Sequence, residues 1–505
     1  MVAQDYWALS PVIAMATLAI VLLSADALLA ERMFGGRRWG SKRALSWIAV
    51  IGLAAPTFFA LNLWFGWIGD STSSPVVYGS FTADRFTLFF QFLIIGATAA
   101  VLLASVPYLE QFKDSLGEFF SLLLIAAAGM MLLVGASELI TIYVALETTA
   151  LPAIALAALR RDGFSIEAGA KFLILSALST ALLLFGLVFL YGYTGATRID
   201  EIVVRLAALP FEAGVPFGSL AVMFAVLLIV AGFGFKMAIA PWHMWVPDVY
   251  QGAPTPVAAF LSVASKASAF AVLMRLLYSL SGFETVAQDW QILFAVIATA
   301  SMTVGNLMAL SQTNMKRLLA YSTIAQAGYI MVGFAAVSVA SSSGSTTSGP
   351  QSVMYYLAGY AFTNLAVFLA FTAIIHRTGD DTIEGLSGLV KRSPLLAVMM
   401  VIGLLSLLGM PPTVGFMAKA VVFSTAVDQG LVWLAVVAVI NTVIAAYYYL
   451  RIVGLILFGE TKDTEPIKPG TGEMAAVAIG VVGSIVLGVV PWLILQLIDD
   501  SLTIV

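Results

Sequence analysis

Apolar runs of about 20 residues recur along the whole chain, and they limit its fold more than any other feature of the sequence. A helix of about 20 apolar residues crosses the roughly 30 Å hydrocarbon core of a bilayer. Hydrophobic residues make up 61% of the 505 residues and charged residues only 10%, whereas soluble globular domains carry about 25% charged residues. The sequence therefore predicts an all-α, polytopic membrane protein.

Fourteen membrane spans are predicted from these runs. They are roughly 8–29, 45–68, 86–107, 118–135, 138–159, 166–193, 217–246, 255–280, 290–311, 317–340, 352–376, 394–425, 430–458 and 474–498. The first run is interpreted as a span and not as a signal peptide, because it is long and no Lys or Arg precedes it. The stretch SSSGSTTSGP at 341–350 is predicted to be a flexible linker.

Lysine and arginine residues are divided unequally between the predicted loops. The loops on one side hold fifteen, which are Arg32, Arg37, Arg38, Lys42, Arg43, Lys113, Arg160, Arg161, Lys316, Arg317, Arg377, Lys391, Arg392, Lys462 and Lys468. The loops on the other side hold Arg85, Arg198 and Arg205. The positive-inside rule assigns the richer side to the cytoplasm. Both termini are therefore expected on the outer side, most simply of a bacterial plasma membrane.

Two groups of five spans suggest an internal repeat. Spans 4–8 and 9–13 each contain five helices, and an odd number per unit inverts the second copy in the membrane. In each group the fourth helix is interrupted by proline and carries a lysine. Span 7 has Lys236 near Pro241, and span 12 has Lys419 after Pro411 and Pro412. Broken helices at matching positions point to a transport site. The predicted units are 1–117 with three N-terminal helices, 118–281 and 282–458 with the inverted repeats, and 459–505 with a cytoplasmic loop and the last helix.

Five ionisable side chains fall inside predicted spans and are candidates for proton transfer. They are Glu147, Lys171, Lys236, Lys266 and Lys419. A lysine at the bilayer centre costs about 2.5–3.5 kcal/mol on insertion scales, and such residues commonly mark ion or proton pathways. The charge state of a buried lysine depends on whether a carboxylate lies beside it, so a Lys–Glu pair can act as a switch.

A histidine joins these candidates because of the broken helix. Proline removes a backbone donor and frees carbonyls that can hold water where the backbone lines a cavity. His243 follows Lys236 by seven residues, close to the same face of a continuous helix.

Structural interpretations remain open for several of these residues. Lys236 alone could be a packed partner of a carboxylate or of backbone carbonyls, Lys171 could snorkel from a span end, and His243 could lie at the membrane interface. Snorkelling is also the interpretation for Arg275 and Arg451, which lie near span ends. Asp248 and Tyr250 are candidates either for capping or for function.

The composition also limits the chemistry of this chain. There is no cysteine, which excludes disulfides, Cys-ligated iron–sulfur clusters and Cys-type zinc sites. Only two histidines exist, and no GxGxxG or P-loop motif is present. Any redox chemistry is therefore expected in another chain, with no cofactor bound here.

Three segments carry a resemblance to a known family. HMWVPDVYQGAPTPVAAFLSVASKASAFAVLMR (243–275), NMKRLLAYSTIAQAGYIMVGF (314–334) and LSLLGMPPTVGFMAK (405–419) resemble the antiporter-like N subunit of proton-pumping NADH:quinone oxidoreductase, respiratory complex I, called subunit 2 in mitochondria. The similarity covers about 120–460. It implies that the partners are other membrane-arm subunits, both antiporter-like and small, and that no nucleic acid is bound. FMN, iron–sulfur clusters and quinone would then belong to partner subunits.

The resemblance also implies roles for individual residues. Glu147 and Lys236 would form the switching pair, with Lys171 also on the proton path. Lys266 would relay protons along the midplane, and Lys419 would serve the exit or the neighbouring subunit. Two departures stand out: Gln326 occupies a position where the family often has histidine, and the sequence TTALPAIALAAL after Glu147 is unusual.

Three other functions compete with this one. A subunit of a multisubunit cation/proton antiporter has a similar fold, but typically carries glutamate at the position of Lys419 and a different loop from DVYQGAPTP. A stand-alone secondary transporter predicts a roomy substrate site, where this chain has a linear set of titratable residues. A passive scaffold leaves the lysines unexplained.

Overall fold

The computed structural model describes residues 3–31, 38–66, 76–108, 115–208, 219–278, 284–336, 349–460 and 465–502. The predicted linker at 341–350 lies almost entirely outside these residues. The first half of the chain forms α1 (Ala3–Glu31), α2 (Arg38–Gly52), α3 (Ala54–Phe65), the short hairpin β1 (Val76–Val77) and β2 (Phe81–Thr82), α4 (Arg85–Tyr108), α5 (Leu116–Val134), α6 (Leu139–Ala157), α7 (Gly163–Thr194), α8 (Ile199–Ala207), α9 (Leu220–Met237) and α10 (Trp245–Gly252).

The second half of the described chain is also helical. It forms α11 (Thr255–Phe260), a π-helical turn (Leu261–Ser265), α12 (Lys266–Tyr278), α13 (Glu284–Leu310), α14 (Met315–Ala335), α15 (Gly349–Thr378), a 3₁₀ turn (Glu384–Leu386), α16 (Leu389–Arg392), α17 (Pro394–Leu408), α18 (Val414–Asp428), α19 (Val432–Phe458), α20 (Thr471–Val489) and α21 (Trp492–Asp499).

Within the described ranges, thirteen helical stretches are long and apolar enough to cross a membrane. The chain is thus an all-α, multi-pass membrane protein, as predicted. The predicted span 394–425 is not among the thirteen because it consists of two shorter helices, α17 and α18, which end and begin on either side of Gly409–Thr413. The inverted repeat and the four predicted units stay predictions.

Two predicted spans were too long, and each is shortened where proline or an unusual backbone conformation stops the helix. Span 217–246 ends early, because α9 stops at Met237 and Ala238 takes the left-handed conformation with φ 62°. Span 474–498 is divided, because α20 ends at Val489 and Pro491 precedes the separate helix α21. Proline has no N–H to continue a helical ladder.

The most deeply buried helices form the centre of the bundle. The apolar windows of α14 and of the continuous stretch from α11 to α12 are fully buried, and that of α15 almost fully. Helices α13 and α14 pack closely together, and α15 packs against α14, α18 and α20. Helices α1, α7 and α19 keep much of their surface exposed, as expected for helices that face lipid. The central position of α12 and α14 is what places their polar residues away from the bilayer.

A buried row of lysines and polar side chains

Lys236 lies in the last turn of α9 and is 7% exposed. Its Nζ donates a hydrogen bond of 3.3 Å to Ser176 Oγ on α7. The rings of Phe172 and Phe235 flank the ammonium at 5.8 Å and 5.6 Å. After α9 ends the chain folds back, so that Trp245 Nε1 donates over 2.9 Å to the carbonyl of Phe235, which also accepts from Ala238 N over 3.1 Å. The helix end thus forms one wall of a pocket of aromatic rings around the cation.

Glu147 lies on α6 and is partly buried. It is near enough for its negative charge to act on Lys236. In the part of the chain that the structure describes, however, no ion pair or hydrogen bond joins these two side chains. The two residues that the resemblance assigns to a switch are therefore electrostatic neighbours, and they are not in contact in this conformation.

Lys171 on α7 has two carboxylate partners. Its Nζ lies 2.7 Å from Glu167 Oε1 and 2.7 Å from Asp248 Oδ2. The other oxygen of Asp248 accepts from Arg317 on α14 over 2.6 Å. Burial raises the pKa of Asp248, but the hydrogen bonds from Lys171 and Arg317 outweigh this and hold it below its ordinary value. Asp248 therefore ties α7, α10 and α14 together, which is more than a capping role.

His243 lies in the turn between α9 and α10 and is half-buried. Its Nδ1 is buried and has no hydrogen-bond partner among the described residues. Its carbonyl oxygen accepts from Val246 N over 3.0 Å. Because α9 ends at Met237, Lys236 and His243 do not lie on one continuous helix.

Lys266 is 1% exposed and follows the π-helical turn directly. Its Nζ donates to the carbonyl oxygen of Thr323 on α14 over 2.5 Å. The ring of Tyr360 on α15 lies 5.0 Å from this Nζ. The hydroxyls of Thr323 and Tyr360 are in turn 3.1 Å apart. Lys266 thus reaches α14 and α15 through one backbone carbonyl and one aromatic ring.

Lys419 on α18 is 5% exposed and faces the broken end of α17. Its Nζ lies 2.7 Å from Leu408 O and 3.3 Å from Leu407 O. These are carbonyls at a helix C-terminus, where the partial negative charge of the helix dipole favours a cation. The ring of Tyr329 covers the other side of the ammonium at 4.6 Å.

Gln326 on α14 joins Tyr356 on α15 to the carbonyl oxygen that Lys419 contacts. Its Nε2 donates to Leu407 O over 3.0 Å, the same carbonyl that Lys419 contacts. Its Oε1 accepts from the hydroxyl of Tyr356. Sequence reasoning missed Tyr356, although a signal existed, because polar residues recur at helical spacing in α14 (Thr323, Gln326) and α15 (Tyr356, Tyr360).

Two cations were placed wrongly from the sequence. Lys316, counted as a loop residue, is 1% exposed and donates to the carbonyls of Gln251 and Ala253, the latter over 3.3 Å. Arg275, expected to snorkel, is 4% exposed and forms an ion pair of 2.8 Å with Asp84. In both cases a neighbouring helix end covers a residue that is near a span end in the sequence.

No group of three or more His, Asp or Glu side chains that could hold a metal ion occurs among the described residues. The chemistry that this arrangement can perform is proton binding and release by buried lysines. Each ammonium is held by carbonyl oxygens, a hydroxyl or aromatic rings, so a change in its surroundings changes how well its charge is stabilised.

Comparison with known proteins identifies the class of this arrangement. Residues 136–445 match the sequence model of a family described as NADH:quinone oxidoreductase/Mrp antiporter, TM. The fold is thus that of an antiporter-like membrane subunit. NADH-quinone oxidoreductase subunit N of Dehalococcoides mccartyi is 36% identical over 462 residues, which cover 91% of this chain and 93% of the relative. The chain belongs to the family of NADH-quinone oxidoreductase subunit N, as the resemblance predicted.

Two solved structures show the same fold. A chain of respiratory complex I from Thermus thermophilus matches with a TM-score of 0.75 and 29% identity, covering 96% of this chain and 100% of that chain. A chain of the Mrp complex from Dietzia sp. matches with a TM-score of 0.76 and 21% identity, covering 99% of this chain and 97% of that chain. The second similarity concerns the fold alone.

Proposed function

We propose that this chain is a membrane-arm subunit of complex I that translocates protons through a relay of Glu147, Lys171, Lys236, Lys266 and Lys419. The driving step, quinone reduction, takes place elsewhere in the complex, in subunits that carry FMN and iron–sulfur clusters. Its partners are the neighbouring antiporter-like and small membrane subunits. The membrane is a bacterial plasma membrane, with both termini on the outer side.

The observation that carries this proposal is that α14 and α15 place buried polar contacts beside both Lys266 and Lys419. Thr323 and Tyr360 lie beside Lys266, and one helical turn away on the same two helices Gln326 and Tyr356 form a second group that reaches Lys419 through Leu407 O. In the described residues, neither Lys266 nor Lys419 has a carboxylate partner. Their charge is therefore stabilised only by dipoles and rings, which is a condition under which a proton can be released.

The neighbourhood of Glu147 and Lys236 supports a switch at the other end of the relay. The carboxylate of Glu147 acts on the ammonium of Lys236, so forming or breaking an ion pair between them would change how well the ammonium is stabilised. Paired, Lys236 holds its proton, and unpaired, it tends to release it. Moving one charge against 100 mV requires about 2.3 kcal/mol, which is within the range of such changes in pairing.

The relay is tested by Lys236→Met in the assembled complex. We expect proton uptake by inside-out vesicles to fall at least tenfold, because methionine has the length of the lysine stem but carries no proton. Lys391→Met removes an exposed lysine on α16 and is the matched control. Unchanged proton uptake in Lys236→Met would overturn the relay.

A second experiment separates the proposed complex from a multisubunit cation/proton antiporter. The tagged chain is extracted in mild detergent and its partners are identified. Flavin and iron–sulfur subunits with quinone reductase activity are the expected result. Recovery of small membrane subunits without redox centres would contradict the proposal and support the antiporter, whose fold in Dietzia is equally similar.

A further inference from the structure

A groove on the flank of the bundle is separate from the row of lysines. It lies between α3, α4, α15, α20 and α21 and has a volume of about 490 Å³. Every residue that lines it is aliphatic, aromatic or glycine, among them Trp64, Phe92, Gly96, Phe362 and Leu497. A gap of this size in a bilayer is filled by hydrocarbon, because empty space forfeits the dispersion contacts of its walls.

Gly96 on α4 opens into this groove. A Cβ atom added there would meet no atom within 4 Å. Most other glycines of the bundle differ from it; a Cβ at Gly480, for example, would lie 2.8 Å from Phe362 O. Small residues in membrane helices usually allow neighbouring helices to pack closely. At Gly96, by contrast, the neighbouring helices leave a gap.

The length of the groove suits one lipid tail. On α4 the lining residues extend from Phe89 to Ala100. At 1.5 Å per helical residue this is about 16 Å, close to half of the roughly 30 Å hydrocarbon core. The groove thus spans about one leaflet, which is the depth of a single acyl chain.

Arg85 lies at the mouth of the groove and has no carboxylate partner among the residues that the structure describes. Arg85 begins α4, is exposed, and has its guanidinium carbon 5.8 Å from the ring centre of Trp64, which lines the groove. The sequence assigns two other cations, Arg198 and Arg205, to the same membrane face, and both have hydrogen-bonding partners. Arg198 pairs with Asp200 over 2.6 Å, and Arg205 donates to Gly195 O over 2.8 Å. Within the described residues, Arg85 forms no ion pair.

We propose that the groove holds one acyl chain of an anionic phospholipid whose phosphate binds Arg85. The guanidinium can donate two parallel hydrogen bonds to phosphate oxygens. Trp64 lies where aromatic residues anchor a membrane protein at the interface, between the headgroup and the tail. The apolar groove accounts for the tail, and Arg85, which forms no ion pair within the described ranges, accounts for the negative headgroup. This site is independent of the proton relay.

The test uses the assembled complex in vesicles that contain phosphatidylglycerol with a photoactivatable group on one acyl chain. We expect the label on peptides of α3, α4 and α20. Gly96→Leu places a side chain in the groove at a position where its Cβ meets no atom within 4 Å, and it should reduce labelling at least fivefold. The matched control is Gly192→Leu, because Gly192 is exposed on α7 and a Cβ there also meets no atom within 4 Å, so its labelling should be unchanged.

The headgroup contact is tested in the same vesicles. Arg85→Gln should reduce labelling about fivefold, the effect of losing one exposed ion pair, and Arg85→Lys should retain most of it. A phosphatidylcholine probe of the same chain length should label weakly. Equal labelling by the two lipids would overturn the anionic headgroup. Unchanged labelling in Gly96→Leu, or a neighbouring subunit cross-linked through the groove, would overturn the lipid site.

Discussion

Lys419 Nζ lies 2.7 Å from the carbonyl oxygen of Leu408, across the gap between two halves of one broken span. The cation of α18 therefore closes the C-terminal end of α17. A second contact bridges the same gap, because Gly415 N donates to Ser406 Oγ over 3.3 Å. Ser484 Oγ on α20 donates in turn to Ser406 Oγ over 2.8 Å. The position of Lys419 thus depends in part on a hydroxyl group on α20.

Ser406→Ala is expected to weaken proton transport more than quinone reduction. The substitution removes the acceptor for Gly415 N and leaves the hydroxyl of Ser484 without this partner, at about 1 kcal/mol for each bond. Both losses loosen the two half-helices around Lys419. The measurement is the ratio of protons taken up to quinone reduced in inside-out vesicles. Ser424→Ala, which removes a local hydrogen bond within α18, should leave this ratio unchanged.

The sequence alone predicted three lysines that lie buried inside the bundle, and it did not predict their partners. Lys236, Lys266 and Lys419 are detectable because a charge within a long apolar run is rare. Their partners Ser176, Thr323 and Leu408 come from other helices, and nothing in the local sequence specifies these pairings.

The two wrong predictions, for Lys316 and Arg275, have the same origin. Lys316 and Arg275 are near span ends in the sequence, where lysine and arginine normally reach water. Here α10 covers the first with its C-terminal carbonyls, and Asp84 at the start of α4 neutralises the second. Burial near a helix end depends on how helices are arranged in three dimensions, and hydropathy along one helix contains no information about it.

Gln326→Leu and Tyr356→Phe are expected to be strongly coupled in their effect on proton transport. Either single change leaves a buried polar group without its partner, which costs about 1–3 kcal/mol. The double change removes both groups, so its effect should be smaller than the sum of the two single effects. Proton uptake and thermal stability are measured for all four variants of the cycle. Simple additivity would show that the contact between Tyr356 and Gln326 is not part of the relay.

Asp248→Asn is expected to lower the stability of the complex near neutral pH and to have little effect in acid. The pKa of Asp248 in the folded protein is held below its ordinary value by Lys171 and Arg317. Its contribution is therefore fully present above the ordinary pKa of about 3.9 and is lost as the pH falls through the lower folded value. At these partly exposed positions the ionic contribution is about 1 kcal/mol.

This pH dependence is measured by thermal unfolding of the purified complex between pH 7 and pH 3. The difference between the wild type and Asp248→Asn should be constant down to about pH 5 and shrink below pH 4. Asp200→Asn is a suitable comparison, since among the described residues Asp200 pairs with Arg198 alone, the residue that precedes α8, and joins no second helix. A difference that persists at the lowest pH would show that the substitution at Asp248 disturbs packing and not charge.

Arg275→Met is expected to be the most destabilising of these changes. It leaves Asp84, which is 6% exposed, as a buried charge without its cation, and breaking a buried pair from one side costs about 3–5 kcal/mol. Asp84→Asn combined with Arg275→Met removes both charges, and the asparagine oxygen can still accept from Thr87 N, as Asp84 Oδ1 does over 2.8 Å. The double variant should therefore unfold at a higher temperature than Arg275→Met alone. If the double variant is the less stable of the two, the packing of the arginine stem between α4 and α12 matters more than its charge.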